Sequence, residues 1–289
     1  MLRGDKEQEE MIGAMISELL QSDFHRCNNL INKEGQAEVK AIIEGNNAGR
    51  IFVDNRLSPT SGLIWLGNHD GFFFIGDASN QKFNEEINDF IERTIFPEAR
   101  KLKLESFEVM GNHSQWNEII EQVFANRELG SWKQNVFKLY KEDYLKEKEP
   151  SLEKGYEVKQ ITKELCDSDD FNNIEFVHKK VLEFWADIDT FLRKGIGYCV
   201  VYEYDQTIVS VCFTGFIAED VHVVDIETHK HHQGKKLGQR VAHSYVKECI
   251  ERKVTPYWDC MEENHPSRAI AERIGFTREF TYKGYEFGI

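Results

Sequence analysis

The order of elements predicts an α/β protein with mixed sheets, arranged as two related units in tandem. Three observations carry this. Clusters of β-rich runs bounded by turn-like breaks occur in both halves of the 289-residue chain. Each cluster leads into an amphipathic segment, and the shared order is strands, helix, strand, helix, strand. Between them lies "YKEDYLKEKEPSLEKGYEV", residues 140–158, charged and poor in apolar side chains, with Pro150 and Gly155 as breakers. The expected domains are therefore 1–145 and 146–289. The rival arrangement is a single α+β domain with an unrelated N-terminal extension.

The first half opens with a helical pattern, "EEMIGAMISELLQ", followed by three β-like runs, "GRIFVDN", "GLIWLGN" and "GFFFIGD". A helix is expected over "NEEINDFIERTIFPEARKL", then the strand "LESFEVMG", the helix "SQWNEIIEQVFAN" and the strand "SWKQNVFKLY". In the second half "YEVKQIT" reads as a strand and residues 171–193 as helix, followed by "GYCVVYEY", "TIVSVCFTGFI" and "VHVVDIET" as strands. From Leu237 the period changes: Leu237, Val241, Tyr245 and Cys249 recur every four residues, giving an amphipathic helix to about Arg252. "TPYWDCM" is a short strand, and "NHPSRAIAERIGF" a helix with Pro266 in its first turn and Gly275 as its stop. "TREFTYKGYEF" closes the chain as strand.

Composition narrows the function. A 40% hydrophobic and 12% aromatic content can fill real cores. No run approaches the ~18 apolar residues of a membrane helix, and the charged start "MLRGDKEQEEMIGAM" does not read as a signal peptide, so a cytoplasmic location and no membrane partner are expected. Six cysteines (Cys27, Cys166, Cys199, Cys212, Cys249, Cys260) stand far apart without a CxxC pair, which fits reduced thiols. The net charge of −14 argues against a general nucleic-acid binder. It suits a cationic substrate, and equally serves solubility alone.

The stretch "HKHHQGKKLGQRVA" carries the most chemistry. It joins a strand to a helix, and the first N–H groups of a helix lack intrahelical partners while the helix dipole adds positive charge there. A phosphate group satisfies both. Gly234 and Gly238 permit close approach, and Lys235 and Lys236 add charge. The three histidines of "HKHH" are too closely spaced to share a helix face and have no cysteine nearby, so no metal site is expected. Cys260 lacks an identifiable His or Asp partner and reads as a buried structural thiol; Trp65, Trp185 and Trp258 read as core or cleft-wall aromatics.

The order "VHVVDIETHKHHQGKKLGQRVAHSYV … TPYWDCMEENHPSRAIAERIGF" resembles the GCN5-related N-acetyltransferase (GNAT) superfamily over roughly residues 155–289, and looks most like its zwittermicin-resistance-type subgroup. The family pattern Arg/Gln-x-x-Gly-x-Gly/Ala falls on Gln233, Lys236 and Gly238, and the pattern Asn-x-x-Ala/Ser-x-x-Leu-Tyr-x-Lys-x-Gly-Phe falls on Asn264, Ser267, Ile270, Ala271, Arg273, Gly275 and Phe276.

The resemblance implies a GNAT fold in the C-terminal half and a degenerate GNAT-like half before it. It implies acetyl-CoA as cofactor, bound by Gln233, Gly234, Lys235, Lys236, Leu237 and Gly238, by backbone near Ile226 and Thr228, and by Asn264 and Ser267. Asn264 suits helix capping equally well. Two departures stand out: Lys236 replaces a glycine, and Ala271 replaces the tyrosine that can protonate the leaving thiolate.

An amine acceptor also needs a base. Counting back from Thr228 to the family's strand glutamate gives His222, with Glu227 and Asp225 on the other face of the strand as runners-up, and a core-satisfied His222 as the plain alternative. The corresponding stretch of the first half, "GNHDGFFFIGDASN", lacks the glycine pattern; Asp70 and Asp77 would repel phosphate, and His69 and Asp70 read as amine contacts or plain surface loop. One cofactor per chain follows. The expected partner is a small-molecule amine, an antibiotic or metabolite. A decayed CoA-binding protein and a protein N-acetyltransferase are the alternatives, and the sequence leaves monomer and homodimer both open.

Overall fold

The computed structural model describes residues 16–67 and 71–289, and these fall into two compact units. The N-terminal unit takes the chain up to Gly45, Gly49–Trp132 and Tyr282–Ile289; the C-terminal unit takes Asn46–Ala48 and Lys133–Thr281. Each is a mixed sheet with helices. No helix among the described residues is long and apolar enough to cross a membrane.

In the N-terminal unit the strands run in the order β1 (Ser17–Glu18), β2 (Gly49–Val53), β3 (Ser61–Leu66), β4 (Phe72–Gly76) and β5 (Ser106–Gly111). Residues 284–288, the end of the final strand β12 (Thr277–Gly288), pair antiparallel with β5. β2, β3 and β4 form an antiparallel trio and β4 runs parallel to β5. The connection from β4 to β5 is helical, as a parallel crossover requires. It starts as α2 (Gln81–Phe90), continues as a π turn at Ile91–Ile95 and ends as α3 (Phe96–Lys101). The π turn lies just ahead of Pro97, whose ring would otherwise clash with the carbonyl of Arg93. Phe74, Phe83, Phe107 and Trp116 fill the core, with Phe74 and Trp116 stacked at 4.8 Å. Truncating such an aromatic costs about 3–5 kcal/mol.

Two features of this unit differ from the sequence reading. Most of the expected opening helix, together with His69 and Asp70, lies outside the described residues. The described end of that segment is the short β1 and a 3₁₀ turn at Gln21–Cys27, and the helix of this region is α1 (Ala37–Ile43), further along. The helix α4 (Trp116–Val123) follows β5 as expected.

In the C-terminal unit the order is β12 (its first part), β6 (Gly130–Lys138), β11 (Thr255–Met261), β10 (Val221–Thr228), β9 (Thr207–Ala218), β8 (Gly197–Tyr202) and β7 (Tyr156–Gln160). Alternate residues of β8 and β9 feed opposite faces. Val200, Val209 and Cys212 meet Leu237, Val241, Ala242, Tyr245 and Cys249 of the helix α8 (Leu237–Arg252), and α9 (His265–Ile274) adds Ala271 and Ile274 to that cluster. Cys199, Val201, Val211 and Phe213 meet Val177, Val181, Trp185 and Phe191 on the other side. The boundaries of α8 and β11 are those the periodicity predicts.

The single helix expected over residues 171–193 is instead split. A short α5 (Lys163–Cys166) precedes α6 (Ile174–Phe184); Asp187 then caps α7 (Ile188–Lys194) by accepting from Thr190 N at 2.6 Å. The charged stretch 140–158 is also more than a spacer. Its residues dock on α8: Tyr144 Oη meets His243 Nδ1 at 3.0 Å, and Gln239 Nε2 donates to Lys148 O at 2.9 Å. Glu149 pairs with Arg240 at 2.9 Å and with Lys247 at 2.5 Å. Asn47 is tied in as well: its amide donates to Gly215 O (2.8 Å) and Phe184 O (3.1 Å), and its carbonyl accepts from Ile217 N (3.0 Å).

Candidate active site

The parallel strands β10 and β11 are in register over only three pairs, Val221↔Thr255, His222↔Pro256 and Val223↔Tyr257. Past that point each strand keeps its outer partner. Val224–Thr228 pair with β9 and Trp258–Met261 with β6. The two inner edges diverge, so β10 and β11 open a wedge whose backbone groups no longer satisfy one another. A register shift against β9 falls at Val223/Val224, where the splay begins.

The turn that follows β10 ends at the start of α8. A 3₁₀ turn (Lys230–His232) leads to Gln233, whose side-chain amide donates back to Thr228 O at 3.0 Å. Gly234 sits at φ +80° with no atom within 4 Å of where a Cβ would stand. Lys236 is the N-cap residue at φ 61°, ψ 17°, and contributes no side-chain cap. The N–H groups of the first helical turn are therefore left for another acceptor. A left-handed conformation costs a non-glycine residue about 1–2 kcal/mol, which accounts for the glycine that the family pattern places here. At Gly238 the reason is contact: a Cβ would lie 3.3 Å from Ile270 Cδ1 and from Thr228 Oγ1, and 3.6 Å from Ile226 Cδ1. A Cβ here would require these side-chain ends to give by a few tenths of an ångström, and a larger side chain would hold α8 off β10 and α9.

Lys235 is held by Tyr156 of β7, whose hydroxyl accepts from its Nζ at 2.5 Å and meets His232 Nδ1 at 2.9 Å. Sequence reasoning gave Tyr156 no role beyond its strand, because nothing local marks a strand tyrosine as an anchor for a loop far along the chain. The turn thus presents an uncapped 16-residue helix, two lysines and an open glycine. These residues fit a pyrophosphate.

The candidate bases fall on opposite faces of β10. His222 is 5% exposed; its Nδ1 lies 3.0 Å from Thr214 Oγ1, which in turn meets Tyr245 Oη at 3.0 Å. Burial, with the Arg252 charge adding to it, pulls this imidazole down to about 4. A general base needs access to the acceptor and a pKa near the working pH. His222 has neither, so its assignment as base is corrected to a core histidine locked on the α8 side. Asp225 and Glu227 face α6 instead, where Lys180 Nζ lies 3.3 Å from Glu227 and 4.0 Å from Asp225. Lys180 is a second residue that the sequence gave no reason to single out, since it is one lysine among the charges of an amphipathic helix.

Asn264 caps α9, its side chain accepting from Ser267 N at 3.2 Å, and Ser267 Oγ accepts from Trp258 Nε1 at 2.9 Å. Asn264 thus closes the first turn of α9, and Ser267 ties that turn to β11. Ala271 is fully buried in the core and offers no hydroxyl. Cys260 is buried, and burial pushes its thiol up to about 11, which keeps it protonated. The "HKHH" histidines diverge: His229 packs edge-on against Phe176 at 4.3 Å, while His232 turns to Tyr156. Among the described residues no three His, Cys, Asp or Glu side chains converge on a metal position.

Comparison with known proteins bears on the family and the fold. A relative from Bacillus subtilis (strain 168), the uncharacterized N-acetyltransferase YdfB, is 25% identical over 252 residues, spanning 86% of this chain and 90% of its own. The crystal structure of a GCN5-related N-acetyltransferase-like protein from Streptococcus suis 89/1591 matches with a TM-score of 0.67 at 18% identity, over 92% of this chain and 98% of that one. A tandem GNAT protein from the clavulanic acid biosynthesis pathway matches with a TM-score of 0.57 at 11% identity, over 94% and 98%. At these identities the two structures bear on the fold alone, and both extend over nearly the whole chain. The family model described as GNAT acetyltransferase matches residues 28–285, so the chain belongs to the GNAT acetyltransferase family.

Proposed function

We propose that this GNAT protein is an acetyl-CoA-dependent N-acetyltransferase that acetylates the primary amine of a small cationic molecule. The observation that carries the reading is the pairing of an uncapped, lysine-flanked helix start with the wedge between β10 and β11. The backbone N–H groups at the start of α8, with Lys235 and Lys236, would hold the pyrophosphate. The inner edges of β10 and β11 would take the extended pantetheine arm, with backbone near Ile226 and Thr228 orienting the acyl carbonyl. Acetyl-CoA, when bound, supplies a thioester open to attack by an amine. Asn264 and Ser267 would act one step removed, Asn264 by capping α9 and Ser267 by fixing it against β11.

The acceptor arrives as an ammonium and must lose a proton before it attacks. Glu227, half-exposed on the α6 face of β10, is placed to receive that proton directly or through water, with Asp225 beside it. With alanine at position 271, no hydroxyl is offered there as acid. Solvent is the source of the thiol's proton in this scheme, and a thiol with a pKa near ~8.5 is a tolerable leaving group. The net charge of −14 favours accumulation of a cationic acceptor. An antibiotic or metabolite amine is the class drawn from the resemblance to the zwittermicin-resistance-type subgroup.

The buried Ala271 and the strained Lys236 favour a second reading, a CoA-binding protein without turnover. Purified protein, acetyl-CoA and a panel of amines, read as free thiol release, decides between them. Turnover with a primary amine is the expected result. Tight binding of CoA with no thiol released by any amine favours the second reading.

A further inference from the structure

Tyr204 stands in the tight turn between β8 and β9 with 71% of its surface exposed. A single exposed aromatic is ordinary, but this ring is fixed in place. It packs on Gly155, where the backbone is at φ +92° and a Cβ would come within 2.3 Å of Tyr204 Cε2. Gly155 O also accepts from Glu203 N at 2.9 Å, which ties the turn to the chain entering β7. On the far side of the turn Asn172 N donates to Gln206 O at 2.9 Å. The turn is held at both ends while most of the ring stays open to solvent. Ordering a ring before its ligand arrives removes part of the entropy that binding costs.

This turn lies at the same end of the sheet as the start of α8. Tyr156, the first residue of β7, pairs with Tyr202, the last of β8. Lys235 Nζ, which donates to Tyr156 Oη, is 5.0 Å from the centre of that ring. The Tyr156 and Tyr202 rings are centred 5.1 Å apart, and the Tyr202 and Tyr204 rings 5.2 Å apart. His232, from the same turn as Lys235, stands edge-on to Tyr156 and Tyr202 at 5.8 and 5.3 Å. The row begins at a cation beside the uncapped helix and ends at an open ring. Any π-face gains from stacking on such a ring, whatever its substituents. Glu203 and Asp205 flank Tyr204, so the place suits a neutral base and opposes a further phosphate.

We propose that Tyr204 is the stacking platform for the adenine base of acetyl-CoA, kept in line with the phosphate turn by Tyr202 and Tyr156. The proposal rests on the cofactor assignment made above. The pantetheine arm leaves the pyrophosphate toward the wedge between β10 and β11, and the adenosine leaves it toward the turn between β8 and β9. Tyr204 then contributes to affinity for the nucleotide end alone.

Calorimetry on the full chain with CoA, ADP and 4′-phosphopantetheine tests this without turnover. Tyr204→Ala should weaken CoA and ADP alike, by about fivefold to a hundredfold, and leave 4′-phosphopantetheine unaltered. Tyr204→Leu still covers Gly155 but has no ring, and should lose nearly as much. Tyr204→Phe should bind CoA within about twofold of the parent, because stacking needs the ring and not the hydroxyl. Etheno-CoA, whose fluorescent base is quenched by stacking, should dim on binding to the parent and stay bright on Tyr204→Leu. Parental CoA affinity in the Ala and Leu variants overturns the platform and leaves the cofactor assignment standing. An equal loss for 4′-phosphopantetheine also overturns it, since Tyr204 would then only support the turn. ADP binding to CoA-saturated protein would place the base elsewhere. A parent protein that binds no CoA overturns the cofactor assignment itself, and the platform with it.

Discussion

Each unit runs a strand at the end of an antiparallel trio into a helix, and the two turns treat their backbone donors in opposite ways. In the N-terminal unit, Asn80 caps α2 by accepting from Phe83 N, while its amide donates to Asp54, Thr60 and Ser61. Asp77 accepts from the backbone and hydroxyl of Ser79, which hold its carboxyl below the usual range. Gly76, at φ +81°, lets the turn fold flat against Thr60, whose carbonyl would lie 2.1 Å from a Cβ. β4 and β5 also pair at three positions, Phe72↔Val109 to Phe74↔Gly111, but beyond them the two segments stay joined: Asn112 N donates to Phe74 O and His113 Nε2 meets Gly76 O at 2.8 Å. In the C-terminal unit the cap is missing, the flanking charges are basic and the strands part after three pairs. On the function proposed above, the anion site is the turn whose donors are left unsatisfied, and the turn that satisfies its own donors and carries a carboxylate is not one.

The sharpest way to break this contrast is to count cofactors. Calorimetry should give one acetyl-CoA per chain, and a stoichiometry of two would mean that the capped turn also binds. Gly238→Val should lower affinity at least a hundredfold, because its branched side chain would meet Ile270, Thr228 and Ile226 and push α8 off the strand. Circular dichroism checks that the variant remains folded. Affinity within tenfold of the parent would show that the close approach of α8 does not matter.

The units should also differ toward acid. The C-terminal unit buries His222 and His243, each pulled by burial from 6.5 to about 4. The described histidines of the N-terminal unit, His25 and His113, are exposed and half-buried. Between those pH values the unfolded chain binds up to two more protons than the native one. Stability therefore falls as pH drops through that window, by at most about 1.4 kcal/mol per pH unit for each ring. Hydrogen exchange should loosen the α8 core before the α2–α4 core as pH goes from 7 to 4.5. Equal loosening of both would remove the histidines from the account.

A smaller effect tests the capped side. Asn80→Ala deletes the α2 cap and should cost about 1 kcal/mol of stability in denaturant unfolding. It should leave acetyl-CoA affinity unaltered. A change in affinity would tie the N-terminal turn to the cofactor after all.

How much of this was legible in the sequence follows from the range of the interactions involved. The four-residue recurrence from Leu237 to Cys249 marked α8 to its last residue, and Pro266 and Gly275 bracketed α9, because those signals are local. The break between α6 and α7 hinges on one cap, Asp187, inside a pattern that stays apolar on one face. The docking of residues 140–158 on α8, the loop at Asn47 and the departure of residues 282–289 into the N-terminal unit are long-range pairings with no local mark. The burial of His222 is legible in the sequence as well. Strand parity places it with Val224, Ile226 and Thr228, and the two aliphatic residues among these already point to the core. The partnership of Lys180 with β10 needed the fold.

Lys236 sits where the contrast between the turns is finest, and Lys236→Gly separates its two opposed effects. The residue is at φ 61°, so glycine relieves about 1 kcal/mol of backbone strain. Glycine also frees the unfolded chain by a similar amount, and the melting temperature should stay within a few degrees of the parent. Affinity should respond differently. Removing one charge beside an exposed anion site is worth at most about 1 kcal/mol at low salt, a three- to fivefold loss. That loss should shrink toward nothing as added salt shortens the Debye length to about 3 Å at 1 M. A loss that persists in high salt would mean that the left-handed lysine shapes the turn, and no loss at low salt would place its ammonium away from the phosphates. Only a salt-dependent loss with unaltered stability makes Lys236 an electrostatic replacement for the glycine of the family pattern.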